Sequence, residues 1–204
     1  MAWCYHLPTT PIEQLTLSGV AQFQLPQRWV AGDQTEISPR YVEYSLGMSA
    51  NALVVSATAF SDQGQLANLK LKRVDNSRFI EGLWNTDVAE LFLVSPSGNY
   101  QEFNFSFSGD WWSQGFSSYR LPDDKFTPPN LKAISVAEFE VAKRVEAIIP
   151  LAELYVKIET IDDLLPQISA IVGQKPRRYF SSTPHSSPAP DFHKLELVTK
   201  ALIP

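Results

Sequence analysis

The sequence has very little cysteine, and this scarcity excludes two common ways of stabilising a fold. Cys4 is the only cysteine among 204 residues, so no internal disulfide can form and the partners of a thiolate metal site are missing. The three histidines, His6, His185 and His193, are spaced too irregularly for a compact metal motif. We therefore expect a fold that depends on its hydrophobic core, without a metal site.

Long hydrophobic runs and clustered positive charge are also lacking. No apolar stretch approaches the roughly 20 residues of a transmembrane helix, and the first ten residues, MAWCYHLPTT, form neither a basic nor an apolar signal region. The net charge is −5, and the basic residues are scattered except at Lys175–Arg178. These absences predict a soluble, cytoplasmic protein that binds neither membranes nor nucleic acid.

Motifs of nucleophilic and nucleotide-dependent enzymes are absent as well. The sequence contains no G-x-S-x-G, G-x-G-x-x-G or P-loop pattern. Glu90 and Glu102 lie on one face of a predicted hairpin, as the paired carboxylates of glycosidases can do. A solvated or hydrogen-bonded structural role is nevertheless the expectation for both residues. We therefore predict a protein without catalytic activity.

What the sequence does contain is a succession of short segments in which apolar and polar residues alternate. About eight to eleven short strands with little helix favour an antiparallel β-sandwich, with a closed barrel as the alternative. No repeat or linker divides the chain, so one domain is expected over residues 1–204. The predicted strands include Leu15–Leu25, Tyr41–Met48, Ala52–Phe60, Ser135–Ile149 and Leu195–Leu202.

Several connections can also be placed on the sequence. Residues 26–39 and the proline-rich stretch 121–130 are predicted loops, and residues 62–65 form a turn signal. Thr160 with Asp163 three residues later resembles a helix N-cap, but Pro166 ends any helix that continues. Residues 167–172 and 178–182 bracket Gly173 as a second hairpin.

The stretch from Leu83 to Trp112 is the most informative part of the chain. Pro96, Ser97 and Gly98 predict a three-residue hairpin loop, with Gly98 in the left-handed conformation. This loop places Ser95 opposite Asn99 and each further residue opposite its partner. One face then carries Ala89, Leu91, Leu93, Phe103, Phe105 and Phe107, and the other carries Glu90, Phe92, Tyr100, Glu102, Asn104, Ser106 and Ser108. The first is a core face, whereas the second has more polar groups than a closed core needs.

The polar face of this hairpin is a candidate site for a sugar. Tryptophan stacks on the C–H groups of a pyranose ring, while amides and carboxylates bind its hydroxyls. The candidate ligand-binding residues are Trp84, Glu90, Glu102, Asn104, Trp111, Trp112 and His193. Because neighbours on a strand point in opposite directions, one of Trp111 and Trp112 can instead belong to the core.

Three groups of motifs resemble a known family. They are Trp84-Asn-Thr-Asp-Val-Ala-Glu90-Leu-Phe-Leu, then Ser97-Gly98-Asn-Tyr100-Gln-Glu-Phe-Asn104-Phe-Ser106 with Gly109-Asp-Trp111, and finally Tyr179-Phe-Ser-Ser-Thr-Pro-His185 with Pro190-Asp191-Phe192-His193. Together they resemble DOMON-like domains of the family 9 carbohydrate-binding-module type, in a bacterial, mostly uncharacterised branch. The resemblance implies an immunoglobulin-like antiparallel β-sandwich.

The resemblance also implies a ligand, and two alternatives stay open. Family 9 modules hold the end of a glycan between aromatic side chains, and Trp84 with Trp111 or Trp112 would supply such a stacking pair by analogy. Other DOMON domains bind haem b between a methionine and a histidine or lysine. Here that role would fall to Met48 with His6, His185 or His193. We expect a saccharide or related small polar ligand and no cofactor, with haem b or a structural, partner-binding role as alternatives.

The segment from Thr183 to His193 is rich in serine and proline but contains one large apolar residue, Phe192. Burying that side chain gains roughly 1.5–3 kcal/mol, so we expect Phe192 to anchor the segment against the sandwich. Asp191 and His193 would then reach the polar face of the hairpin, with Glu90 and Asn104 as partners. A histidine beside Glu90 is predicted to have a raised pKa.

Overall fold

The chain forms short β-strands joined by turns and single turns of 3-10 helix. The computed structural model describes residues 2–8, 11–17, 20–31, 41–61, 70–184 and 189–203. Its strands are β1 Tyr5–His6, β2 Phe23–Leu25, β3 Gln27–Ala31, β4 Tyr41–Met48, β5 Ala52–Phe60, β6 Lys72–Arg73, β7 Val88–Val94, β8 Tyr100–Ser106, β9 Trp111–Ser118, β10 Leu121–Pro122, β11 Ala133–Phe139, β12 Ala142–Pro150, β13 Pro166–Val172 and β14 Arg177–Ser181. The 3-10 helices are Ile12–Gln14, Leu83–Asn85, Leu151–Glu153 and Ile161–Asp163.

These strands form two sheets. The first has the order β1-β4-β5-β12-β11-β6, with β2 also paired to β4, and the second has the order β10-β9-β8-β7-β13-β14-β3. Every pairing is antiparallel except the two-residue contact between β1 and β4. The prediction of an antiparallel sandwich with little helix is confirmed, and the barrel alternative is wrong. No helix in the described ranges is long and apolar enough to cross a membrane.

The core lies between the two sheets. Leu46, Val55 and Ile149 from the first sheet pack in one buried cluster with Leu91 and Phe103 from the second. All six residues predicted for the core face of the central hairpin belong to this cluster. The fold therefore buries one face of the hairpin β7–β8 completely, as its alternating sequence requires.

The register predicted for the hairpin is also confirmed. Ser95 N–H donates to the Asn99 carbonyl at 2.9 Å, Glu90 lies opposite Asn104, and Phe92 lies opposite Glu102. Gly98 has a φ of 91°, in the left-handed region that its position in the loop needs. This turn sends Glu90 and Glu102 to the face of the second sheet that points away from the core.

Other expected elements differ from the structure where tertiary contacts outweigh local pattern. Among the described residues of the strand expected over 15–25, only Phe23–Leu25 form a strand. The loop expected over residues 26–39 includes strand β3, which pairs with β14. Ser135–Ile149 is two strands with a tight turn between them. The turn predicted at residues 62–65 lies outside the described residues.

The end of the chain is the largest departure from the expected fold. A strand was expected from Leu195 to Leu202, but only Leu202 forms a bridge there, to Trp3. Leu195 instead packs on the outer face of the second sheet, and Val198 N–H closes a turn onto the Leu195 carbonyl. This segment follows the surface of the sandwich, where Leu195 packs on the outer cluster and the Ala201 N–H donates to the Leu164 carbonyl at 3.0 Å.

Replacing Phe105 with alanine tests the assignment of the hairpin faces. The side chain is 1% exposed in the core between the sheets, so its truncation should lower the free energy of unfolding by roughly 3–5 kcal/mol. Phe139→Ala is the matched control, since that ring is 60% exposed and its loss should change stability by at most about 0.5 kcal/mol. Urea titrations of both variants give the values. Equal losses would contradict the assigned faces.

Candidate functional site

A cavity of about 560 Å³ opens on the outer face of the second sheet. Its floor is formed by outward side chains of β7, β8 and β9, and one wall comes from β13 and β14. The rim is completed by the 3-10 helix Leu83–Asn85 and by Pro190, Phe192 and His193. These three residues belong to the last described stretch, residues 189–203, which we call the final segment. Three parts of the chain that are distant in sequence thus meet above the polar face of the hairpin.

Two tryptophans form the aromatic side of the cavity. Trp84 is 37% exposed and contacts Trp112 edge to face, with ring centroids 5.1 Å apart and an interplanar angle of 70°. Gly82, with a φ of 85°, allows the turn that begins the 3-10 helix carrying Trp84. Arg177 fixes that helix by donating hydrogen bonds to the carbonyls of Trp84 and Thr86. The Trp84 ring is therefore held in place at the mouth of the cavity.

Two buried carboxyl groups lie at the floor. Ser169, opposite Glu90 on β13, donates a 2.9 Å hydrogen bond to Glu90 Oε2. Asn104 Nδ2 donates a 2.8 Å hydrogen bond to Glu102 Oε1. Both glutamates are only 4% exposed, yet both line the cavity. Each carboxyl group thus has one oxygen held by a neutral side chain.

Burial raises the pKa of both carboxyl groups. For Glu90 the loss of hydration is the main cause, and the nearby Glu102 carboxylate adds to it, while Ser169 and Arg177 act in the opposite direction. For Glu102 the loss of hydration again dominates, against the hydrogen bond from Asn104 and the charge of Arg120. Because like charges at close range resist joint ionisation, the two groups titrate as a pair.

The final segment closes one side of the cavity. Asp191 accepts hydrogen bonds from the Tyr119 hydroxyl at 2.6 Å and from Arg120 Nη2 at 3.0 Å. Phe192 is buried against Trp29, and Gln167 Nε2 donates to its carbonyl at 2.8 Å. The anchoring role expected of Phe192 is therefore confirmed.

His193 lies inside this closure as a neutral imidazole. The Tyr100 hydroxyl accepts a 3.1 Å hydrogen bond from the backbone N–H of Arg120 and lies within hydrogen-bonding distance, 2.7 Å, of His193 Nδ1. The other ring nitrogen, Nε2, lies 3.5 Å from Glu102 Oε2. Burial, followed by the charge of Arg120, lowers the pKa of His193 to about 4.

His193 reaches the polar face of the hairpin as expected, but the partners expected there, Glu90 and Asn104, are wrong. Asp191 contacts Tyr119 and Arg120 beyond the hairpin, and His193 meets Glu102 rather than Glu90 or Asn104. The predicted rise in the pKa of His193 is also wrong, because loss of hydration and the charge of Arg120 outweigh the attraction of the Asp191 carboxylate. His185 lies outside the described residues.

The structure brings together five of the seven residues predicted for the site. Trp84, Glu90, Glu102, Trp112 and His193 line the cavity. The other two do not reach it directly.

Asn104 is fully buried beneath the floor, where it orients Glu102; its Oδ1 has no hydrogen-bond partner among the described residues. Trp111 lies opposite Phe105 and packs against the core between the sheets. The form of the expected stacking pair that uses Trp111 is wrong, because Trp111 points away from the cavity. Trp84 and Trp112 both line the cavity, where their rings meet edge to face.

Several lining residues were not identified from the sequence. Gln114 lies opposite Glu102 across β8 and β9, so the register of a further hairpin would have revealed it. Phe92 shares the face already identified. Arg120, Arg177 and Tyr179 had no local signal, because only the pairing of distant strands and the turn after β9 bring them to the cavity.

The described residues that would hold haem b do not meet at this cavity. Met48 is buried in the core between the sheets, whereas His193 lies on the outer face of the second sheet, so the two residues do not lie on the same side of that sheet. His6 is exposed and pairs with Met48 in β1 and β4. Within the described residues, no group of three or more His, Cys, Asp or Glu side chains is placed to hold a metal ion.

Comparisons with known proteins identify the architecture. No protein-family model and no curated protein sequence matches the chain. Among solved structures it is similar to a proposed carbohydrate-binding protein from Bacteroides uniformis, with a TM-score of 0.66 and 14% identity, covering 100% of this chain and 98% of that one.

Two further similar structures are both family 9 carbohydrate-binding modules. They are a family 9 carbohydrate-binding module from Caldicellulosiruptor kristjanssonii in complex with cellotriose, and one from the same organism in complex with glucose. Both have TM-scores of 0.56, with identities of 14% and 13%. The matches cover 100% of this chain and 93% and 95% of the two modules. At these identities the comparisons establish a shared fold.

Replacing Glu90 with glutamine tests the burial of the carboxyl pair. A pKa raised above the ordinary value of 4.5 stabilises the protein at low pH, and this stabilisation is lost as the pH rises through the folded-state value. The difference in the free energy of unfolding, variant minus parent, should therefore be larger at about pH 8 than at about pH 5, by about 1 kcal/mol or more. Unfolding titrations at both pH values measure it. Glu140→Gln is the exposed control, and a pH-independent difference for Glu90→Gln would contradict the arrangement.

The titration of His193 tests the closure by the final segment. Because its pKa lies at about 4, the His193 ring resonances should stay at their neutral positions down to about pH 5. Phe192→Ala removes the buried ring that anchors the segment over His193, so it should expose the imidazole and move the midpoint toward the free value. Proton NMR of histidine ring resonances gives the midpoints. A midpoint near 6.5 in the parent protein would show that the imidazole is solvated.

Proposed function

We propose that this chain is a non-catalytic saccharide-binding module, and that the cavity on the outer face of its second sheet is the binding site. The observation that carries the proposal is the combination of a fixed, half-exposed Trp84 with buried carboxyl groups in one open cavity. A pyranose needs an apolar face for its C–H groups and hydrogen-bonding groups for its hydroxyls. The lining supplies both.

The preorganisation of the site supports this proposal. Trp84 is held through Arg177, Glu102 through Asn104, and His193 through Tyr100. Side chains that are already ordered lose little conformational entropy when a ligand binds. A small polar ligand would therefore meet a formed site rather than a flexible surface.

The similar structures also support this proposal. They are named as a proposed carbohydrate-binding protein and as modules in complex with cellotriose and with glucose. The chain covers nearly the whole length of each. The hairpin motifs give the finer proposal of a DOMON-like, family 9 type domain, bacterial in origin and formed by the chain as a single unit.

The arrangement of the carboxyl groups favours binding over hydrolysis. A retaining or inverting glycosidase places two carboxyl groups on either side of the bond to be cleaved. Here Glu90 and Glu102 are diagonal neighbours on adjacent strands of one floor, and each is already held by a neutral side chain. We therefore assign both groups to ligand contact.

Loss of the Trp84 ring should remove saccharide binding without unfolding the protein. Trp84→Ala removes an apolar surface that is 37% exposed, so the melting temperature should fall by at most about 2 °C. Calorimetric titration with glucose, galactose, mannose and cellotriose measures the affinity, which should drop at least about tenfold. Phe139→Ala removes an exposed ring on the first sheet and should leave binding unchanged. Binding that survives in Trp84→Ala would place the site elsewhere.

A further inference from the structure

Acidic groups outnumber basic groups in the lining of the cavity. Its lining includes the carboxyl groups of Glu81, Glu90 and Glu102 and the guanidinium groups of Arg120 and Arg177. Arg120 is already paired with Asp191 at 3.0 Å, and the imidazole of His193 is neutral. The excess of acidic groups lies at the floor, where burial disfavours the ionised carboxylates and a cation bound beside them would favour them.

The floor also offers hydrogen-bond acceptors without matching donors. Glu90 Oε1 has no hydrogen-bond partner among the described residues, and Glu102 Oε2 has only the 3.5 Å contact to His193. Among the described residues, the side-chain oxygens that are fully buried without a partner belong to Asn104 and Gln167. The two glutamate oxygens therefore keep some exposure, and because both side chains line the cavity, a ligand can reach them there. A ligand with several donors in one group would satisfy them together.

The aromatic lining favours a particular kind of donor. Six aromatic rings border the cavity, those of Trp84, Phe92, Trp112, Phe116, Tyr179 and Phe192. Aromatic faces attract cations, most strongly where water is excluded, and they offer nothing comparable to an anion. Buried carboxyl groups inside an aromatic lining therefore suit an ammonium group better than a hydroxyl.

We infer that the saccharide bound in this cavity is an amino sugar, with its protonated amino group directed at Glu90 and Glu102. This inference rests on the proposed function and specifies its ligand class. The ammonium group would donate to the two open carboxyl oxygens and lie against the aromatic lining. The rest of the ring would extend toward Trp84 at the mouth of the cavity.

Matched pairs of sugars test the inference. Glucosamine, galactosamine and mannosamine differ from glucose, galactose and mannose by one amino group in place of a hydroxyl. Calorimetric titration of the full chain at about pH 7 and low salt should show at least one amino sugar bound about tenfold more tightly than its neutral counterpart. The N-acetylated form, which carries no charge, should lose that preference.

Variants separate the buried carboxyl groups from the overall charge of the protein. In Glu90→Gln and in Glu102→Gln the affinity for the amino sugar should fall to within about threefold of the affinity for its neutral counterpart. Glu140→Gln removes the same charge from an exposed turn and should leave the ratio unchanged. A melting curve for each variant confirms that it is folded before the titration.

Each result has a defined meaning. Neutral sugars that bind as tightly as their amino counterparts would overturn the inference and leave the proposed function standing. An amino-sugar preference that survives in both glutamine variants, or that disappears in Glu140→Gln, would also overturn it, because it would then arise from general charge. No binding by any sugar in the panel would overturn the inference and the proposed function together.

Discussion

The tight turn at Pro96–Gly98 is the constraint on which the rest of this structure depends. It fixes which residue of β7 faces which residue of β8, and a shift by one position would exchange the two faces of the hairpin. With the observed register, Phe103 and Phe105 complete the core between the sheets, while Glu90 and Glu102 line the cavity on the opposite side. Core and candidate site are thus two consequences of one local geometry.

The candidate site retains an arrangement that stability alone does not favour. Burying two neighbouring carboxyl groups costs free energy unless their charge is compensated, and here neutral partners, Ser169 and Asn104, satisfy only part of each group. Asp191 and Phe192 add to this burial by holding the final segment over the sheet. Such local conflicts with stability are typical of functional sites.

Much of the central hairpin could be predicted because its information is local. Alternation along each strand and the residues of one turn were enough for its faces and register. The sequence does not decide the orientation of Trp111 and Trp112, because it depends on pairing with β8, where Trp111 lies opposite the core residue Phe105. For His193 the sign of the pKa shift was wrong, since burial by distant parts of the chain dominates over charge.

The sequence by itself determined the strand-rich architecture, the two faces of the hairpin and most of the polar floor, because these follow from contacts between residues close along the chain. Only the tertiary structure decided that the floor becomes a cavity. The bonds that do this join residues far apart in sequence, such as Ser169 with Glu90 and His193 with Tyr100. Their geometry arises when the second sheet assembles and the final segment packs across it, and no local pattern encodes that packing.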